Sequence, residues 1–284
     1  MDKYKLKYIS AVFIYGTIGM FIHYVNLSSE IVVLARGIIG SLFILLYLKI
    51  SKQTLNKEAI KRNAKYLILS GVALGLNWVC LFASYQVSTV AVGSLCNYMA
   101  PIILIALSTM LYKEKISFKK LLCVVGAVIG IILVSGILEV NSSVNPLGVV
   151  LGLCAAFGFV MIVIFNRKLN GVSVYDKVVV QLGTSALTVL PYALINNIGK
   201  PFVVDTRSLI IIVILGIFHT GFAYCLYFGS INEIPVQTMA ILGYIEPVMS
   251  VLISAFLLSE PISLYGIIGA ILILVSACMS EIIE

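Results

Sequence analysis

The chain has 284 residues, of which 61% are hydrophobic and only 11% are charged. A soluble domain carries about 25% charged residues, so this composition excludes a soluble globule, and the mean hydropathy of +1.11 favours a lipid environment. The net charge of +7 comes from basic residues in short segments between apolar runs, a pattern that is typical of membrane topology and does not indicate a nucleic-acid partner.

Ten apolar runs predict an all-α integral membrane protein with ten transmembrane helices. A spanning helix needs about 20 mainly apolar residues, and the runs are continuously apolar, whereas barrel strands would alternate. The basic N-terminal segment with the first run is interpreted as a transmembrane helix and not as a signal peptide. In chain order, the predicted spans are Tyr8–Val25, Ile31–Ile50, Tyr66–Tyr85, Val90–Tyr112, Leu121–Leu138, Leu147–Phe165, Val178–Ile195, Leu209–Ser230, Val236–Leu258 and Ile262–Met279.

The positions of lysine and arginine predict the orientation, because cytoplasmic loops carry an excess of both. If the N-terminus is inside, the inside segments carry 16 of the 19 basic residues and the outside loops carry only Lys200 and Arg207. The remaining one, Arg36, lies within the second span. We therefore expect a multi-pass protein of the cytoplasmic membrane with both termini in the cytoplasm.

The chain also repeats itself at an offset of 146 residues, which predicts two five-helix repeats over residues 1–143 and 144–284. Since five is odd, the second repeat must be inverted in the membrane relative to the first. Inverted repeats recur in secondary transporters, whose substrate sites lie near the midplane between the repeats. The matching pairs are Phe82 with Phe228, Ser84 with Ser230, Tyr98 with Tyr244, Pro101 with Pro247, Glu114 with Glu260, Ile116 with Ile262 and Ser117 with Ser263.

Two segments in these repeats resemble the EamA family of the drug/metabolite transporter superfamily. They are PIILIALSTMLYKEKIS at 101–117 and EPVMSVLISAFLLSEPIS at 246–263, each with a Glu-x-Ile-Ser step before the last helix of its half. The resemblance implies transport of a small molecule by alternating access. Family members handle amino acids, amines, nucleobase-like metabolites or toxic cations, so the resemblance does not imply one substrate.

Two prolines lie near the middle of the fourth and ninth spans. Proline inside a helix removes the hydrogen bond to the carbonyl four residues back, which frees the carbonyls of Asn97 and Gly243. We predict that Pro101 and Pro247 are hinges and that the freed backbone lines the substrate site. The alternative is a kink that serves helix packing alone.

Two charged residues lie inside the predicted spans. Glu246 is about 16 Å along its helix from either end, where a lone carboxylate is costly and marks a functional site. We predict that it couples transport to protons or binds a cationic substrate; the alternative is a neutral acid hydrogen-bonded to a neighbouring helix. Arg36 could bind a substrate carboxylate through two parallel hydrogen bonds, and the alternatives are snorkelling or a structural pair with Glu30 or Glu246.

Other polar and aromatic residues within the spans complete the predicted substrate site. His219 suits a proton relay, although a histidine bonded to a nearby carbonyl is equally ordinary. Aromatic side chains suit an organic cation or a planar substrate, with helix packing as the alternative for each. The predicted substrate-binding set is Glu246, Tyr98, Tyr244, Asn97, Trp78, His219 and Arg36, with Asn77, Gln181 and Tyr224 as further in-span candidates.

The remaining motifs predict neither an enzyme nor a cofactor. There is no HExxH or P-loop, the two histidines are far apart, and the six cysteines form no CxxC pair, so we expect no catalytic residues and no metal. The pairs Gly71–Gly75, Gly126–Gly130 and Gly148–Gly152 permit close helix approach and, weakly, a homodimer. The prediction is a secondary active transporter for a small metabolite; the alternatives are a receptor, an assembly protein or a channel.

Overall fold

The structure, a computed structural model, describes residues 3–100, 103, 118–134, 144–198, 204–230, 242–243, 245–259 and 263–282. Every regular element in these ranges is a helix. The elements are α1 Lys3–Gly16, α2 Ile18–His23, α3 Ser29–Ile50, α4 Lys57–Val87, α5 Val90–Asn97, α6 Phe118–Val134, α7 Pro146–Asn166, α8 Val174–Asn196, α9 Thr206–Ile214, a π-helix Leu215–Phe222, α10 Ala223–Phe228, α11 Ile245–Phe256 and α12 Leu264–Ile282.

The predicted all-α membrane architecture is confirmed. Six helical segments are long and apolar enough to cross a membrane: Lys3–His23, Ser29–Ile50, Lys57–Val87, Pro146–Asn166, Val174–Asn196 and Thr206–Tyr227. A described helix also overlaps each of the other four predicted spans. The total of ten spans in two repeats stays a prediction, because the fourth and ninth spans are described over helices of only 8 and 12 residues.

Polar residues fix where several helices begin. The side chains of Asn56, Thr89, Asn145, Ser173 and Asp205 each accept a hydrogen bond from a backbone N–H in the first turn that follows. Such caps satisfy donors that have no partner within the helix. They place the start of each helix at a defined residue and so set the depth of the side chains that follow.

The long helix α4 lies at the centre of the packing. It contacts α7, α8, α3 and α5, while α6 pairs with α12 and α1 packs on α10 and α11. One buried cluster includes Val33, Phe82, Leu182 and Leu215 and joins α3, α4, α8 and the π-helix. A second cluster joins α5, α6, α7 and α12. Large apolar side chains cover the outside, as a lipid-facing surface requires.

The three glycine pairs are used within the chain. A side chain at Gly71 would clash with Thr184 on α8, and one at Gly152 would clash with Cys96 on α5. Gly130 likewise contacts Ile273 on α12. The pairs therefore let neighbouring helices of one chain approach closely, and they supply no argument for the predicted homodimer.

Two irregularities interrupt the helices of the first and eighth predicted spans. The first span breaks at Thr17, between α1 and α2. The eighth passes through the eight-residue π-helix Leu215–Phe222, where the Thr220 hydroxyl donates to the carbonyl of Leu215 at 2.8 Å. π-Helices are rare and frequently lie at functional sites, so both interruptions mark the region around them as a candidate site.

Candidate functional site

Arg36 lies in α3 and only 1% of its surface is exposed. Its guanidinium carbon is 4.4 Å from the ring centroid of Trp78 and 5.0 Å from that of Phe82. Its Nε donates a hydrogen bond to the Thr220 hydroxyl at 3.0 Å. The cation is thus stabilised by aromatic faces and one neutral acceptor.

Two sequence-based interpretations of Arg36 are wrong. The side chain does not snorkel, because it is buried inside the helix bundle. Nor does it pair with a carboxylate among the described residues. Glu30 accepts from the Asn196 amide at 3.3 Å, and Glu246 bonds to Tyr98. The guanidinium is therefore a buried positive charge without a described protein counter-ion.

Glu246 lies in the first turn of α11, and its carboxylate shares a hydrogen bond with the hydroxyl of Tyr98. Tyr98 directly follows α5 and also lies 3.5 Å from the carbonyl of Gly243. On the other side, the backbone of Glu246 contacts α1, where a side chain at Gly16 would come within 2.9 Å of its carbonyl oxygen. The structure therefore brings two predicted site residues, Glu246 and Tyr98, together.

Tyrosines from α1 and α10 connect the surroundings of Arg36 and Glu246. The ring of Tyr15 is 5.8 Å from that of Tyr224 and 5.9 Å from that of Tyr227, and the ring of Tyr8 lies tilted against that of Tyr227 at 5.4 Å. Tyr224 in turn meets Trp78 edge-on at 6.0 Å. This tyrosine cluster, Tyr8, Tyr15, Tyr224 and Tyr227, gives the site an amphipathic wall of rings and hydroxyls.

His219 lies on the π-helix, where its Nε2 is 2.9 Å from the Thr17 hydroxyl. That hydroxyl donates to the Ile14 carbonyl at 2.7 Å, so the imidazole joins the break in the first span to the π-helix. The ring also packs on Phe21 at 4.8 Å. This geometry favours a structural link, and the predicted proton relay stays a prediction.

Three further candidates serve as hydrogen-bonded contacts between helices. The Asn77 amide donates to the Ala155 carbonyl at 2.7 Å and to the Asn97 side chain at 3.2 Å. The Gln181 amide donates to Asn166 at 2.9 Å. These bonds join α4 to α7, α4 to α5, and α8 to α7, as polar residues commonly do in membranes.

Part of the predicted site cannot be located. Pro101 and Tyr244 lie outside the described residues, as do Glu114 and Glu260. Pro247 is described only by its backbone, as the third residue of α11. The predicted hinges therefore stay predictions. Within the described ranges, no group of three or more His, Cys, Asp or Glu residues could hold a metal ion.

The sequence interpretation missed Tyr15, Thr17 and Thr220. Tyr15 lies in the middle of the first predicted span, so its depth in the membrane could have identified it as a candidate site residue. Threonine hydroxyls usually bond to the carbonyls of their own helix in membranes, and nothing in the sequence distinguishes Thr17 or Thr220 from that ordinary role.

The fold and the charged residues inside the bundle define a multi-pass α-helical membrane protein. In such proteins, charged residues within the spans commonly mark a substrate or ion pathway. The model of the EamA-like transporter family matches residues 5–136 and again 146–281. The chain therefore belongs to the EamA-like transporter family, which confirms the resemblance seen in the sequence.

Curated relatives include several proteins named as transporters. The chain is 24% identical to the "Uncharacterized transporter YxxF" of Bacillus subtilis over 271 residues, which cover 94% of this chain and 86% of that protein. It is also 24% identical to "Protein PecM" of Dickeya dadantii, over 74% of this chain and 70% of that protein. A solved crystal structure matches with a TM-score of 0.68 and 17% identity, covering 98% of this chain and 97% of the other, which supports the fold alone.

Proposed function

We propose that the chain is a secondary active transporter that moves a small metabolite, an amino acid, amine or related compound, across the cytoplasmic membrane by alternating access. The observation that carries this proposal is the pair of charged residues inside the helix bundle, the buried Arg36 and the half-buried Glu246, whose surroundings the tyrosine cluster connects. Buried charges inside spans are costly and recur where substrates or ions pass.

The two predicted halves both contribute to this site. In the first half, α1 supplies Tyr8 and Tyr15, α3 supplies Arg36, and α4 supplies Trp78. In the second half, α10 supplies further tyrosines and α11 supplies Glu246. A substrate bound here would contact both halves, as alternating access around a site between repeats requires.

The helix packing supports the proposed two repeats. Exchanging the predicted halves turns the contact of α4 with α7 into that of α10 with α1, and the contact of the fourth predicted span with α7 into that of the ninth with α1. The contact of α4 with α8 likewise becomes that of the π-helix with α3. All six contacts are present, and the family model also matches the chain twice.

The chemistry is less symmetric than the packing. The repeat register sets Ala73 against His219 and Ala100 against Glu246. The carboxylate of Glu246 and the imidazole of His219 therefore belong to one copy of the repeat each, which favours one substrate site per chain. Within this site we propose Glu246 as the group that couples transport to protons or binds a cationic group.

The proline hinges and the orientation are further parts of the proposal. If Pro101 and Pro247 allow the halves to rock, replacing both with alanine should slow transport without abolishing ligand binding. Unchanged transport rates would remove the hinge hypothesis. A reporter protein that is fluorescent only in the cytoplasm, fused to the C-terminus, should fluoresce if both termini lie inside.

The experiment that tests the function is a screen of ligand-dependent thermal stability on the purified protein. Amino acids, amines, nucleobases and organic cations are compared, because a ligand that binds only the folded state raises its apparent stability. We expect at least one class to stabilise the protein and to be transported in liposomes. Neither stabilisation nor transport by any class would favour a receptor or assembly role.

A further inference from the structure

Two buried hydrogen-bond donors of the site have no hydrogen-bond partner in the described part of the chain. They are Nη1 of Arg36 and the hydroxyl of Tyr15. Tyr224 connects the two side chains, because its ring lies 5.8 Å from that of Tyr15 and 6.0 Å from that of Trp78, the ring on which Arg36 stacks. Donors from two different helices, α3 and α1, thus share one region of the site.

Leaving such donors unpaired is unfavourable in a protein interior. A buried donor without an acceptor loses its hydration and gains nothing in exchange, and this loss is larger for a charged group. The faces of Trp78 and Phe82 stabilise the cation, but a stacked guanidinium still directs its N–H groups outward in its own plane. Aromatic stacking therefore does not satisfy Nη1.

Thr220 and the two carboxylates that the sequence suggested as partners of Arg36 do not supply the acceptor that Nη1 lacks. The Thr220 hydroxyl accepts from Nε of Arg36, and its own proton goes to the carbonyl of Leu215. The Glu30 and Glu246 carboxylates bond to other side chains. A bound ligand with an acceptor oxygen would satisfy both donors.

We propose that Arg36 and Tyr15 form an anion subsite that binds the carboxylate of the transported substrate. A single guanidinium neutralises one negative charge, which suits a carboxylate better than a phosphate dianion. The neighbouring rings of Trp78, Phe82 and Tyr224 then accommodate an apolar or aromatic group next to that carboxylate. This inference rests on the proposed transport function and narrows its substrate to carboxylates with an apolar body.

The test uses pairs of probes that differ in the carboxylate alone. They are 3-phenylpropanoate against 3-phenylpropanamide, and phenylalanine against phenethylamine, each titrated by calorimetry onto the purified full-length protein. The carboxylate of each pair should bind. Arg36→Gln should lower its affinity on the order of 10- to 100-fold, because a charge-assisted hydrogen bond is lost. Which pair binds better distinguishes a monocarboxylate from a zwitterion.

Three variants separate recognition from folding. Tyr15→Phe removes only a hydroxyl and should weaken binding of the carboxylate probe several-fold. Arg36→Lys retains the charge and should bind the probe more tightly than Arg36→Gln does. Arg207→Gln is the matched control, because Arg207 also stacks on a ring, 4.2 Å from the centroid of Tyr24, but lies on the exposed first turn of α9. It should leave binding unchanged.

Three results would contradict the proposed anion subsite. If the amide and the amine bind as well as their carboxylate partners, or if Arg36→Gln and Tyr15→Phe both leave carboxylate affinity unchanged, the anion subsite is wrong. The anion subsite is also wrong if no carboxylate probe binds. The proposed transport function survives any of these results when another ligand class binds and crosses the membrane.

Discussion

The close contact between α1 and α11 at Gly16 predicts that even one added methyl group disturbs the site. A Cβ atom at Gly16 would lie 2.6 Å from Cβ of Met249 and 2.9 Å from the carbonyl oxygen of Glu246. Ordinary contacts between carbon atoms are about 3.5–4.0 Å. The two neighbouring atoms, a carbonyl oxygen and a Cβ, are fixed by the backbone and cannot move aside alone. The helices α1 and α11 must therefore separate by about 1 Å.

The expected loss of stability follows from two opposing effects. Overpacking of this kind costs about 1–3 kcal/mol, whereas replacing a helical glycine by alanine gains about 0.5–1 kcal/mol. Gly16 is the last residue of α1, so the gain there is small. We expect Gly16→Ala to destabilise the protein by about 1–2 kcal/mol, which for domains of about 150–250 residues lowers Tm by about 2–4 °C per kcal/mol.

Gly183 provides a matched control, because a Cβ atom there would meet nothing within 4 Å. It lies within α8, so Gly183→Ala should leave Tm unchanged or raise it slightly. Both variants are measured in detergent by circular dichroism at one heating rate. If Gly16→Ala unfolds at or above the wild-type temperature, α1 does not pack against the backbone of Glu246 as described.

Two further predictions concern residues away from the charged pair. Asn77→Leu keeps the branching and the number of side-chain heavy atoms but removes the hydrogen bonds to Ala155 and Asn97, so it should lower stability by about 1–2 kcal/mol. An unchanged Tm would mean that this contact between α4 and α7 contributes nothing. Asp205 caps α9, and hydrogen bonds from Ser208 hold the pKa of its carboxyl below the usual value. The Tm difference between wild type and Asp205→Ala should therefore be full above the unfolded pKa of about 3.9 and shrink as pH falls through the lower folded pKa; a difference that grows in acid would contradict this capping.

Much of the fold could be predicted from the sequence, because a lipid environment imposes strong and simple constraints. Long apolar runs must form helices whose backbone bonds are satisfied internally. The break at Thr17 and the π-helix around His219 could not be predicted, since both depend on contacts between distant helices, such as the bond between these two side chains.

The candidate site was predicted only in part. Depth in the membrane identified Arg36 and Glu246, because charge is rare there. Depth does not reveal partners: Arg36 interacts with Trp78 and Thr220, although carboxylate pairing was a plausible alternative. The role of Tyr15 depends on its packing beside Arg36, which no local sequence pattern encodes.

The most direct test of the central claim is counterflow in liposomes that contain the purified protein. Vesicles are loaded with an unlabelled ligand from the stability screen and diluted into a trace of the labelled compound, with and without an imposed pH gradient. An alternating-access carrier should accumulate the label transiently, and Glu246→Gln should remove any effect of the gradient or stop the exchange. If the label only equilibrates without an overshoot, or does not enter at all, the account of this chain as a secondary transporter is contradicted.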